Sequence, residues 1–152
     1  MSTKIVNLSG SFKNNDQFVV EVGNHQIRIG TNSNNSALNA PSPIEYILAG
    51  YAGCINAVGI LVANELQLDL KSLQVDISGT MDIDKYQGKP TSERAGFSTI
   101  EVEVKPEANA TIEELNNWLK IVESRCPVYD NLFNPTPIES SLVSKLVADE
   151  VI

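Results

Sequence analysis

From Pro41 to Leu66 the chain reads PSPIEYILAGYAGCINAVGILVANEL, the most apolar run in its 152 residues, with Cys54, one of two cysteines, near the middle. A run of this length and character must be a helix that other elements enclose. Ser42-Pro43-Ile44-Glu45 opens it. Ser42 suits the N-cap, Pro43 the first helical position, and Glu45, three residues after the cap, completes a capping box. Roughly 24 residues at 1.5 Å each give a helix of about 36 Å. A globule of this chain length has a radius of gyration of about 15 Å. The helix therefore nearly spans one copy, and a second subunit is expected to cover part of it. Gly50, Gly53 and Gly59 support this, since a helix glycine costs about 1 kcal/mol relative to Ala and is tolerated where another backbone comes close.

Tyr46–Ala63 also reaches the length of a membrane span. Asn56 interrupts it, Glu45 and Glu65 bracket it, and no Lys or Arg cluster follows. The reading is a soluble core helix. Met1–Gly10 lacks a basic start followed by an apolar core, so no leader is expected and the cytoplasm is the expected location. One ordinary domain over residues 1–152 is expected. The net charge of −8 disfavours nucleic acid and anionic membrane as partners, because phosphates would be repelled.

The flanking segments supply cover. Lys4–Gly10 is a predicted strand, and Phe18–Val22 and Gln26–Gly30 flank a Gly23-Asn24 hairpin turn. Thr31–Ala40 is a polar loop. After the helix, Leu73, Val75 and Ile77 alternate with Gln74, Asp76 and Ser78, and Ile100, Val102 and Val104 alternate with Glu101, Glu103 and Lys105. Such alternation marks strands with one wet face, typical of an antiparallel sheet. Asp82–Gly96 is a long exposed turn. Thr111-Ile112-Glu113-Glu114 repeats the capping box, opening a helix to about Ser124 with Leu115, Leu119 and Val122 on one face and Trp118 beside them. Pro127 breaks it, because the residue before a proline is pushed away from helical angles. Val128–Phe133 reads as a short helix, and Ile138–Ala148 fits helix or strand. The class is α+β.

Two cysteines are too few for a disulfide scaffold, and with one histidine, His25, too few for a zinc site. No glycine-rich phosphate loop or serine-nucleophile motif appears, and no cofactor is implied. A cysteine in an apolar helix is ordinarily an inert hydrophobe with a raised pKa. Cys126 has the better local electrostatics, with Arg125 adjacent and a helix N-terminus following. Spacing alone does not show whether the two thiols meet.

Pro41-Ser42-Pro43-Ile44-Glu45 and Leu48-Ala49-Gly50-Tyr51-Ala52-Gly53-Cys54 resemble the signature of the OsmC/Ohr family, and Arg125-Cys126-Pro127-Val128-Tyr129 resembles its second motif. The resemblance implies an OsmC-like domain-swapped α+β homodimer, its central helices back to back within antiparallel sheets. It implies a thiol peroxidase acting on organic hydroperoxides, with Cys54 as peroxidatic thiolate and Cys126 as resolving thiol. An external dithiol would reduce the pair. In peroxidase members an N-terminal Arg, held by a Glu ten residues before the peroxidatic Cys, lowers its pKa. Here that position is Ile44, Glu45 follows it, and no Arg precedes Arg28. Glu45 and Arg28 are the residues available for such a device. The alternative is an OsmC-like dimeric protein that binds a small molecule or senses redox state with little or no peroxidase activity.

Overall fold

In a computed structural model, residues 2–12, 17–30 and 39–143 are described. They form, in order, β1 (Ser9–Ser11), β2 (Phe18–Val22), β3 (His25–Ile29), α1 (Pro43–Glu65), β4 (Leu70–Met81), β5 (Phe97–Ala108), α2 (Ile112–Arg125) and α3 (Pro127–Phe133). The class is α+β, with one antiparallel sheet ordered β1-β2-β3 and a second made of β4 and β5.

The central helix begins as its sequence requires. Ser42 caps it, Pro43 occupies the first turn, and both halves of the capping box with Glu45 are formed. Its inner stripe, Tyr51, Ile55, Gly59, Val62 and Ala63, is buried, at the three- and four-residue spacing that lines one helix face. That stripe meets β4, β5 and α2. On the sheet, Val75 pairs with Val104 and Ile77 with Val102, all facing the core, while Asp76 pairs with Glu103 on the wet face. Lys105 Nζ sits 2.6 Å from Asp76 Oδ2 and 2.9 Å from Glu103 Oε2, bridging two acids that would otherwise repel across the strands.

The predicted α2 core face is corrected in one respect. Trp118, expected beside it, is its centre: at 1% exposed it is the largest fully buried side chain. Its indole Nε1–H donates to the Gly59 carbonyl at 2.9 Å. A Cβ on Gly59 would stand 2.9 Å from Trp118 Cζ2, so this glycine is explained within the chain, whereas Gly50 and Gly53 have open space where a Cβ would be.

The N-terminal region departs more. The expected strand Lys4–Gly10 is reduced to Ser9–Ser11, and Ile5 and Val6 are 80% and 67% exposed. Pattern alone placed a strand there, but only Ser9, Gly10 and Ser11 find a β2 partner. The hairpin is one residue earlier than expected at β3, with Val22 paired to His25 across Gly23-Asn24. Gly23 alone takes a positive φ, 57°, the pattern of a type II′ turn. Most of Thr31–Ala40 lies outside the described residues. So does the end of Ile138–Ala148, whose residues 138–143 form neither helix nor strand.

α1 is long and apolar enough to cross a membrane, and only 28% of its most apolar window is buried within the chain. Its uncovered side carries Ala49, Gly50, Gly53 and Ala57, then Ile60 and Leu61.

The Gly59 notch makes a prediction of unusual sign. Gly→Ala inside a helix normally gains about 1 kcal/mol, but overpacking a filled site costs about 1–3 kcal/mol. Gly59→Ala should therefore lower the urea unfolding midpoint in wild type and should cost less when made in a Trp118→Leu background. A midpoint raised by Gly59→Ala alone would show that the notch is not tight.

Candidate functional site

The two cysteines are 72 positions apart in sequence, and their sulfurs are 2.7 Å apart in space. Both thiols are free. The separation exceeds the ~2.05 Å disulfide bond by less than an ångström, so closing the bond needs only local adjustment.

Each sulfur is placed by a different device. Cys54 sits midway along α1, one turn after Tyr51, at the edge of the buried stripe. Cys126 is at once the C-cap of α2 and the N-cap of α3, extended at φ −80° and ψ 108°. Pro127 enforces that conformation and starts α3. Arg125 grips Glu65 at the end of α1 through two hydrogen bonds of 2.5 and 3.1 Å, holding the α2 terminus against α1.

Cys126 is 1% exposed. Its electrostatics differ from the sequence expectation. The α3 N-terminus does act on it, since the Tyr129 N–H donates to Sγ at 3.4 Å, which favours the thiolate. Burial acts the other way and prevails: desolvation first, then the hydrogen bond to Cys54, push the Cys126 thiol up from its ordinary value. The neighbouring Arg125 guanidinium is committed to Glu65 instead.

Beside the thiols stand two tyrosines. Tyr51 is 6% exposed, and its phenol is pushed up to about 12, chiefly by burial and next by Cys126. Its ring centroid lies 6.1 Å from that of Tyr129, which stacks on Phe133 at 5.6 Å and 9°. These rings close one end of a cavity of about 460 Å³ between α1, the first half of β5, and α3. Its walls are mainly apolar, including Ile44, Ile47, Phe97 and Ile100, and Arg94 is its one charged lining residue. Neither cysteine lines it directly, whereas Tyr51 and Tyr129 do.

The two activation candidates lie elsewhere. Glu45 is exposed and accepts from the Ser42 backbone N–H at 2.7 Å and from its hydroxyl at 2.6 Å. Those bonds lower its pKa, and they turn the carboxylate to capping. Ile44, its neighbour, lines the cavity instead. Arg28 lies on β3, with Nη1 3.4 Å from Gln17 Oε1 and its carbonyl accepting from Tyr46 Oη at 2.8 Å. Within one chain neither joins the cysteines. Sequence reasoning passed over Tyr51 and Tyr129, and it could count Arg94 among three arginines able to stabilise a thiolate without placing it. The tyrosines carried a readable signal, three residues before Cys54 and three after Cys126. Arg94, in a turn before β5, carried none.

A family model described as OsmC-like protein matches residues 32–141. No curated protein matches at significance. Among solved structures, an OsmC-like protein from Mycoplasma pneumoniae superposes with TM-score 0.76 at 18% identity, over 88% of this chain and 91% of its own. An organic hydroperoxide resistance protein OsmC from Legionella pneumophila gives 0.60 at 16%, over 87% and 91%. The organic hydroperoxide resistance protein OhrB of Bacillus subtilis gives 0.54 at 16%, over 84% and 89%. At these identities the likeness is one of fold.

The raised Cys126 pKa fixes the sign of a pH effect. The folded state keeps this proton to higher pH than the unfolded chain does. The associated stability is complete below the unfolded value, about 9, and is lost as pH rises past it. Urea midpoints should fall as pH rises above about 9, and Tyr51 adds a loss of the same sign above about 10. Cys126→Ala should flatten that slope; an unchanged slope would mean burial does not hold the proton.

Proposed function

The chain belongs to the OsmC-like protein family, and from that premise and its paired thiols we propose that it is a cytoplasmic, thiol-dependent peroxidase of organic hydroperoxides. The observation that carries the reading is the 2.7 Å approach of Cys54 Sγ and Cys126 Sγ beside Tyr51 and Tyr129, two residues that line a mainly apolar cavity. Solved structures of the same fold are named organic hydroperoxide resistance proteins.

Cys54 is the attacking thiol. It is partly exposed where Cys126 is buried. Its thiolate attacks the terminal peroxide oxygen, the O–O bond breaks, and the sulfur becomes a sulfenic acid while the alkoxide takes a proton and leaves as alcohol. Cys126 then attacks the sulfenic sulfur, forming the disulfide and releasing water. An external dithiol reduces the disulfide by two exchange steps and leaves as its own disulfide. The cavity favours an alkyl hydroperoxide over hydrogen peroxide, because its apolar walls gain from burying a hydrocarbon body.

A specific observation favours a second reading. Glu45 is spent on capping and Arg28 on Gln17, so among the described residues these two do not pair with each other beside Cys54. A dimeric binding protein or redox sensor with little turnover would have this geometry. Turnover decides between them. Wild type should consume cumene hydroperoxide with dithiothreitol as reductant, and Cys54→Ser should abolish it. Without reductant, Cys126→Ser should consume one equivalent and leave a sulfenic acid that dimedone traps. A wild type without turnover, or one indifferent to Cys54→Ser, sinks the enzyme reading.

The working form is a homodimer in which a second copy covers the bare face of α1. Gly50 and Gly53 line that face with nothing from their own chain near them. In an isolated chain Gly50→Ala should stabilise by about 1 kcal/mol; in a dimer packed on this face it should do the reverse. Sedimentation should show wild type as a dimer and Gly50→Leu dissociating at higher concentration. A monomeric wild type would refute the assignment.

A further inference from the structure

The described residues hold three arginines. Arg125 is paired to Glu65, and Arg28 is hydrogen-bonded to Gln17 at the distant β3. Arg94 forms no ion pair among the described residues. It lines the cavity, folded over Gly96, where a Cβ would lie 3.3 Å from its Nη2. A guanidinium without an ion-pair partner among the described residues, on a mainly apolar pocket, is a place for an anion.

Its position along the cavity is fixed by register. Gly59 of α1 lies beside Leu73, which pairs with Pro106 near the end of β5. Ile44 and Ile47, at the start of α1, share the cavity with Phe97 and Ile100 at the start of β5. Helix and strand therefore run the same way. Arg94, just before β5, is at the end by Ile44, while Tyr51 and the thiols lie further along. Ile44 to Tyr51 alone spans about 10 Å of helix axis.

We infer that Arg94 is a specificity-determining residue, which takes the acidic end of a one-chain organic acid lying along the cavity toward Tyr51, Tyr129 and the thiols. The volume, about 460 Å³, suits one such chain. Where the reactive end is a hydroperoxide, the inference rests on the peroxidase reading; the anchoring of the acid does not. Glu93, the adjacent acid, does not line the cavity, and its N–H is bound to the Thr91 hydroxyl at 3.1 Å.

The test uses a straight-chain hydroperoxy acid and its methyl ester, identical but for the end group, with the full chain and dithiothreitol. Wild type should favour the acid about tenfold in kcat/KM, carried by KM, as for a partly solvated charge-assisted contact. The preference should shrink as salt rises. Arg94→Gln should cost the acid about tenfold and the ester much less, and Arg94→Lys should keep part of the preference. Equal use of acid and ester by wild type, or an equal loss for both in Arg94→Gln, overturns the inference. Calorimetry with the corresponding hydroxy acid and its ester separates the two claims. An Arg94-dependent preference in binding without any peroxide turnover upholds the anchor and defeats the peroxidase reading. Turnover of cumene hydroperoxide with no Arg94-dependent preference in rate or binding upholds the reaction and defeats the anchor.

Discussion

The site depends on how α2 docks against α1, and that docking turns on one large side chain in one small notch. Trp118 fits over Gly59, packs against it, and donates to its carbonyl. The contact fixes both separation and register, because a shift along α1 would put the indole against a side chain. The Arg125–Glu65 pair is a second tie, at the helix ends. Between them they leave Cys126 little freedom, and Pro127 removes most of what remains. The 2.7 Å sulfur separation is thus a consequence of core packing some distance from the sulfurs. Truncating Trp to Ala in a core ordinarily costs about 3–5 kcal/mol, and here the cost would reach the thiol pair as well.

The local signals in the sequence were legible because they act over a few residues. Both capping boxes form, Ser42 with Glu45 and Thr111 with Glu114. The alternation in β4 and β5 reports the core face residue by residue. The cysteine motifs indicated an OsmC-like fold. Non-local features were not legible. Nothing in the turn before β5 shows that Arg94 reaches a cavity walled by α1 and α3. The electrostatics of Cys126 misled for the same reason. Its sequence neighbours, an arginine and a helix start, favour the thiolate, while the burial that overrides them is supplied by residues far along the chain. The N-terminal strand shrank because alternation states which residues could pair, and pairing needs a partner.

Glu45 shows how one residue can satisfy a motif without its chemistry. It is an acid at the start of the central helix, close to where peroxidase members are expected to hold theirs. One position along a helix is about 100° around it. That rotation points the carboxylate at the Ser42 cap and leaves Ile44 on the cavity. The residue at the expected depth is thus apolar, and the cavity's one charge, Arg94, comes from the β4–β5 connection instead.

The uncovered surfaces bear on the same question. Apolar residues on α1 and in the N-terminal segment are exposed together, Ile60 and Leu61 about half and Ile5 and Phe12 more. Exposed apolar residues on a helix face are costly to leave wet. The N-terminal sheet has few ties to the rest of the chain: the Tyr46 Oη bond to the Arg28 carbonyl and the Gly30 N–H bond to Pro41 O are the main ones among the described residues. The described residues of one copy hold the two thiols and wall the cavity, and they leave the outer face of α1 without cover. In the proposed homodimer, a second copy contributes cover for that face. On that division of labour, loss of the dimer would lower stability before it altered the approach of the two sulfurs.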